Sequence, residues 1–189
     1  MKIKEVIKLS AKLLEEKDVL TLLSGDVPEE NAQAIEDKET LLCCYDLIRD
    51  ELACEYLPLK KRELFSDIKD EKIYFSTFEN SPLRILGVYD EKGEKVPYRL
   101  INDYVCVKKE SAFVEYNYRL NPIKSEEEEC VYASGIIGPY CLAFGIASQF
   151  CAQKGRFNES DYFQSKYLEG VRARVAKRGN LKIPARRWL

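Results

Sequence analysis

Apolar residues in the first part of the chain follow helical spacing. In residues 3–16 they return every three or four positions and share one face: Ile3, Val6, Ile7, Ala11 and Leu14. This pattern predicts an amphipathic helix. A short second helical turn over residues 19–23 follows, with Asp18 placed before it as an N-cap.

A longer helix is predicted to begin at about Glu29 or Glu36 and to reach Tyr56. Its apolar residues form a continuous helical stripe made of Leu41, Tyr45, Ile48, Leu52 and Tyr56. Pro58 ends the helix, because the residue before a proline avoids the helical region.

The same part of the chain is strongly acidic. From Asp18 to Glu55 there are 11 acidic residues and only two basic ones. Such a run is typical of a solvated helix face, and it also suits contact with a basic partner. The residues of this possible subunit–subunit face are Glu36, Asp37, Glu39, Asp46, Asp50 and Glu51.

Between residues 61 and 121 the apolar pattern changes to a period of two. Short strands are predicted over residues 72–78, 83–89, 97–100, 103–107 and 112–120. Their close spacing requires hairpins, so the sheet is expected to be antiparallel and meander-like, with Pro97 on an edge. Six tyrosines fall here, at positions 74, 89, 98, 104, 116 and 118. They suit half-buried packing or the stacking of single-stranded bases.

Three helices are predicted after the strands. The first opens with the four acidic residues 126–129 and carries Val131, Tyr132, Ile136 and Ile137. The second begins at Pro139, which suits the first helical position, and stops before Gly155. The third has Asn158 as its N-cap and a staple between Phe157 and Tyr162, and runs to Gly179. The short break makes the last two helices antiparallel neighbours.

Together these elements predict a mainly helical α+β fold. N- and C-terminal helices, residues 1–60 and 122–179, form a bundle into which a small antiparallel β-sheet, residues 61–121, is inserted. Residues 180–189 are expected to be an extended basic C-terminal arm.

Composition narrows the range of functions. The chain of 189 residues has a net charge of −2, no histidine and seven cysteines. Without histidine, Ser–His and Cys–His nucleophiles are excluded, and the cysteines, none of them in a CxxC pair, are expected to be reduced core residues. We therefore expect no enzyme, no metal and no cofactor. With no signal peptide or membrane-spanning run, synthesis and retention in the cytoplasm are expected.

The last residues form a basic segment. From Val171 onward there are seven basic residues and no acidic one. Pro184 keeps the final residues out of a helix, and arginine with tryptophan is typical of interface hot spots. The predicted partner-binding arm consists of Lys182, Ile183, Pro184, Arg186, Arg187, Trp188 and Leu189. A tail folded on its own chain, a disordered tail and a nucleic-acid contact are the alternatives.

The order of these elements resembles the head-to-tail adaptor proteins of tailed bacteriophages, including the tail tubular protein A group. The resemblance lies in the helix that ends in the sequence ELACEY, residues 51–56, and in the strand block 72–120. The proline-led stretch 139–150, PYCLAFGIASQF, is similar to the family's penultimate helix, and residues 162–167, YFQSKY, to its last helix.

The resemblance implies a structural virion protein that forms a ring of about twelve copies beneath the portal and lines the DNA passage. Its implied partners are the portal protein, into which the C-terminal arm is implied to reach, neighbouring copies, the next tail or nozzle protein, and genomic DNA that passes through the channel without sequence-specific binding. No membrane partner is implied. The implied location is the neck of the virion, after assembly in the host cytoplasm.

Two other functions remain open from the residues. One is a nucleic-acid-binding protein that uses the tyrosine-rich sheet and the basic arm. The other is a small enzyme that depends on carboxylates.

Overall fold

The structure is a computed structural model that describes residues 1–25, 31–133 and 137–175. It is a mixed α+β fold, as predicted. The chain divides into two compact units. One contains Met1–Ile48 together with the described residues from Ile123 onward, and the other contains Arg49–Pro122.

The helices of the first unit largely follow the predicted pattern. They are α1 (Ile3–Leu13), α2 (Lys17–Ser24), α3 (Ala32–Glu51), α4 (Pro139–Gln153) and α5 (Phe157–Val175). The five apolar residues predicted for one face of α1 are all buried. Helix α4 packs against α1 and α5. Its side chains Leu142, Ile146 and Phe150 are fully buried and form its core face.

The predicted helix caps are displaced. Helix α2 begins at Lys17, so Asp18 lies inside its first turn and is not the N-cap. Helix α5 begins at Phe157, so Asn158 is likewise inside the helix. The staple is wrong as well, because Phe157 and Tyr162 are 68% and 58% exposed.

Gly155 ends α4 as predicted. Its φ of 73° is in the left-handed region, which glycine adopts without strain. There the amide of Arg156 donates to the carbonyl of Cys151 at 2.8 Å, which satisfies a carbonyl at the end of the helix.

The helix predicted from Glu126 onward is absent from the described residues 123–133. The carbonyls of Glu126 and Glu128 instead accept hydrogen bonds from the amides of Lys4 and Ile3, at 2.8 and 2.9 Å. The first amides of a helix have no partner within it. This segment therefore supplies the partners that α1 needs, and it forms turns and an isolated β-bridge, between Lys2 and Glu129, instead of a helix.

The second unit begins with the end of the long helix. After α3 the chain continues as a π-helical turn, Leu52–Tyr56, in which the amide of Leu57 donates to the carbonyl of Leu52 at 2.6 Å. The helix ends before Pro58, as predicted.

Six strands follow, in two antiparallel sheets of three strands and not in one meander. They are β1 (Leu59–Phe65), β2 (Lys72–Tyr74), β3 (Pro82–Tyr89), β4 (Tyr98–Ile101), β5 (Tyr104–Val107) and β6 (Ala112–Tyr118). The strand orders are β1-β6-β3 and β2-β5-β4. The pairing of β1 with β6 joins the two ends of the unit, which a meander does not allow. The edge position predicted for the strand at Pro97 is confirmed, since β4 lies at an edge.

Strand β1 was not predicted. Its burial alternates, but the half-buried positions include the charged residues Lys61 and Glu63. Lys61 Nζ lies 2.6 Å from Glu79 Oε2, and Glu63 Oε2 accepts a hydrogen bond of 2.7 Å from the Tyr116 hydroxyl. These partners let charged side chains occupy positions where an apolar residue is expected. A hydrophobic cluster fills the second unit, including Val88, Val105, Val114 and Tyr116.

Candidate interaction surfaces

The described residues present no cluster of Cys, Asp and Glu side chains that could hold a metal ion. All seven cysteines are free thiols. Burial raises the pKa of Cys44 to about 12, with smaller contributions from Cys43 and Cys151. Burial also raises the pKa of Cys141 and Cys151. These three thiols are therefore protonated at neutral pH and are poor nucleophiles.

A groove of about 350 Å³ lies in the first unit between α3 and the segment 123–126. We call it the α3 groove. Its apolar lining comes from Leu42, Cys43 and Ile123, and its polar lining from Glu39, Asp46, Lys124, Ser125 and Glu126. Three carboxylates thus face one ammonium group around an apolar floor. Its lining is suited to a basic segment that also carries apolar side chains.

The far wall of the α3 groove is held in place by hydrogen bonds. Glu128 Oε1 accepts from the backbone amides of Lys124 and Ser125, each at 3.0 Å. Lys38 Nζ of α3 lies 3.1 Å from Glu126 Oε2 and joins the two walls. Hydrogen bonds and an ion pair within the first unit therefore fix the shape of the groove.

The residues of the predicted acidic face are not placed alike. Glu39 and Asp46 come together in the α3 groove, and Glu36 is exposed nearby on the same helix. Asp37 is buried, and its Oδ1 lies 2.7 Å from Lys154 Nζ. The remaining two residues, Asp50 and Glu51, are half-buried members of the second unit, where Asp50 lies 3.4 Å from Arg119.

A second surface of the first unit is aromatic and was not predicted from the sequence. The rings of Phe144 and Phe163 stack with their centroids 6.2 Å apart, and Tyr162 packs edge-on against Phe163 at 5.4 Å. Tyr140, one turn before Phe144 on α4, is 62% exposed. Tyr162 is 58% exposed, Phe144 is half-buried and Phe163 is buried. We call the exposed Tyr140 and Tyr162, together with Phe144, the aromatic patch. Its only sequence signal was the pair of aromatic residues at Tyr162 and Phe163, next to a helix start.

Most tyrosines of the second unit are half-buried or buried, which agrees with packing and leaves little of the surface that base stacking, the alternative, would need. Tyr116 is fully buried, and Tyr89 has the guanidinium of Arg62 5.3 Å from its ring centre. Tyr74 and Tyr104 remain as a pair on β2 and β5, with centroids 5.6 Å apart. Lys72 Nζ lies 5.2 Å from the Tyr104 ring.

The second unit also exposes an apolar groove of about 340 Å³ beside β3 and β4. Leu83, Leu100 and Ile101 line it and are 41–56% exposed. Exposed apolar side chains that lie together are typical of protein contact sites. We call this surface the β groove.

Neither the family models nor the curated proteins with which the chain was compared gave a match. None of the helices in the described part of the chain is long and apolar enough to cross a membrane. The predicted partner-binding arm, from Lys182 to Leu189, lies outside the described residues.

Proposed function

We propose that this chain is a structural subunit of a head-to-tail adaptor, which forms a ring beneath the portal of a tailed bacteriophage and connects capsid to tail. In this proposal the N- and C-terminal helices form the bundle of the ring wall. The β unit meets neighbouring components, and the basic arm binds a partner. The order of helices and strands, which resembles this adaptor family, supports the assignment.

The observation that carries the proposal is that one chain exposes two different contact surfaces. The aromatic patch belongs to the first unit and the β groove to the second. A closed ring needs heterologous contacts, in which one surface of each copy meets a different surface of the next. A protein that functions alone has little reason to expose both surfaces.

The charge distribution supports the same proposal. The segment from Asp18 to Glu55 is acidic and the segment after Val171 is basic. Unlike charges at two ends of one chain favour head-to-tail association, because each copy offers a surface complementary to its neighbour.

A second candidate function is the binding of single-stranded nucleic acid on the second unit. The pairing of Tyr74 with Tyr104 beside Lys72 is the observation in its favour. The burial of Tyr116 and the net charge of −2 weigh against it.

Sedimentation velocity of the full chain, alone and mixed with the portal protein of a tailed bacteriophage, tests the proposal. We expect the wild-type chain to join portal particles as several copies. The double variant Tyr140→Ser, Tyr162→Ser removes the most exposed rings of the aromatic patch and should reduce this incorporation. The control Tyr74→Ser, in the second unit, should leave incorporation unchanged.

The same variants separate the two functions. If Tyr74→Ser abolishes binding to a fluorescent oligothymidine while the double variant does not, and if no variant joins the portal, the nucleic-acid function is favoured. A chain that stays monomeric with the portal and binds no oligonucleotide contradicts both functions.

A further inference from the structure

We infer that the α3 groove of one copy is the docking site for the basic arm, residues 180–189, of a second copy. The inference rests on the proposed ring, and it names the contact that links one subunit to the next.

The composition of the groove selects a basic occupant. Glu126 is paired with Lys38 and Lys4, and the other two acidic lining residues, Glu39 and Asp46, outnumber Lys124. Because Lys38 already lies beside Glu126, the exposed carboxylate of Glu39 is the contact we assign to an incoming guanidinium. A polyanion such as DNA would be repelled by this lining.

Because the floor of the groove is apolar, its occupant should carry apolar side chains as well as positive charges. Leu42, Cys43 and Ile123 lie among the carboxylates, and Leu47, one turn further along α3, is 53% exposed. An indole beside two arginines satisfies both the apolar floor and the acidic rim. In this chain, that combination occurs at Arg186, Arg187 and Trp188.

The occupant is assigned to a second copy because of ring closure. A heterologous contact needs a donor and a different acceptor on every copy. The arm and the α3 groove provide such a pair within one sequence. Residues 176–189 follow α5 and span at most about 46 Å when fully extended.

Cys43 makes the inference testable by cross-linking, because its exposed thiol lines the groove. The variant Leu189→Cys places a thiol next to Trp188 and keeps the indole. We expect oxidation with copper–phenanthroline, with and without the portal protein, to give a ladder of disulfide-linked chains on a non-reducing gel. The ladder should disappear with Cys43→Ser. It should persist with Cys54→Ser, which removes an exposed thiol outside the groove.

Charge reversal provides an independent readout. Glu39→Lys should lower the yield of the ladder about tenfold, because it places like charges in contact. The matched control Glu36→Lys makes the same change one turn earlier on α3, outside the groove lining, and should have little effect. Arg186→Glu with Arg187→Glu should restore the ladder in the Glu39→Lys background.

Several outcomes would overturn the inference. A disulfide between Cys43 and position 189 within one chain would show that the arm occupies its own groove. Cross-linking of the arm to the portal alone would make the portal the occupant. Portal-bound rings without any Cys43 cross-link would contradict this docking site and leave the proposed function standing, whereas failure to join the portal at all would contradict both.

Discussion

The backbone of Gly145 lies directly against Tyr167, so that a Cβ atom at Gly145 would come within 3.0 Å of Tyr167 Cδ2. The same atom would also lie 3.0 Å from Ile48 Cδ1. Both neighbouring side chains are buried. Helices α3, α4 and α5 therefore approach one another at a position that has no side chain.

Gly145→Ala is expected to destabilise the protein by up to about 2 kcal/mol. Alanine gains about 1 kcal/mol over glycine inside a helix, but forcing a methyl group against two buried side chains costs about 1–3 kcal/mol. Urea unfolding measures the difference. Ile48→Val removes one of the two contacting atoms and should recover part of the loss when the two changes are combined. A stabilising effect of Gly145→Ala alone would show that the helices have room to separate.

Phe150→Ala should cost about 3–5 kcal/mol, because it removes a fully buried ring from α4. Phe157→Ala is the matched control, since Phe157 is 68% exposed at the start of α5, and it should cost less than about 0.5 kcal/mol. Denaturant melting of both variants gives the comparison. Equal losses for the two variants would contradict the assignment of the core face.

The stability of the fold should decrease in alkaline solution. Burial raises the pKa of Cys44 from its ordinary 9.0 to about 12 in the folded protein. The unfolded chain therefore loses this proton first. The stabilisation is fully present below pH 9 and is lost as the pH rises toward 12. For this one group the expected loss by pH 10 is about 1 kcal/mol.

The adjacent cysteines supply the control for this prediction. Cys44→Ala should reduce the slope of unfolding free energy against pH above pH 9, whereas Cys43→Ala, at an exposed position, should change it much less. The slope remaining in Cys44→Ala is expected to come from the other raised groups, which include Cys141, Cys151 and Tyr116. Identical slopes in both variants would rule out Cys44 as a source.

Glu128→Ala is expected to loosen the segment that covers the start of α1. The Glu128 carboxylate accepts hydrogen bonds from the amides of Lys124 and Ser125, and the Glu128 carbonyl accepts one from the amide of Ile3. Loss of the two side-chain hydrogen bonds should cost about 1 kcal/mol and speed hydrogen exchange at Ile3 and Lys4. Glu129→Ala, at the next exposed position, should leave exchange unchanged.

The helices could be predicted because each buries one stripe of its own residues. The 3.6-residue period of α1, α3 and α4 is a local signal, and the structure has these helices where the pattern indicated. The prediction of a helix from Glu126 onward was wrong because the backbone carbonyls of Glu126 and Glu128 accept hydrogen bonds from the first amides of α1. Those amides lie more than 100 residues earlier in the sequence. The local pattern around residues 126–129 therefore gives no sign of the pairing.

The sheets were predicted less well because their pairing is not local. β6 lies between β1 and β3, and β1 is rich in charge. Lys61 and Glu63 become acceptable strand residues only when Glu79 and Tyr116 are beside them. The α3 groove has the same origin. Glu39 and Asp46 were predicted as acidic surface, but their apolar neighbour Ile123 joins them only through the fold.

Mixing this chain with the portal protein of a tailed bacteriophage and determining the symmetry of the product tests the central claim most directly. Electron microscopy of the mixture, with masses from native mass spectrometry, should show a closed ring of about twelve copies in which each contacts the next through different surfaces. A chain that remains monomeric beside the portal, or that forms only a two-fold dimer through one shared surface, would contradict the account.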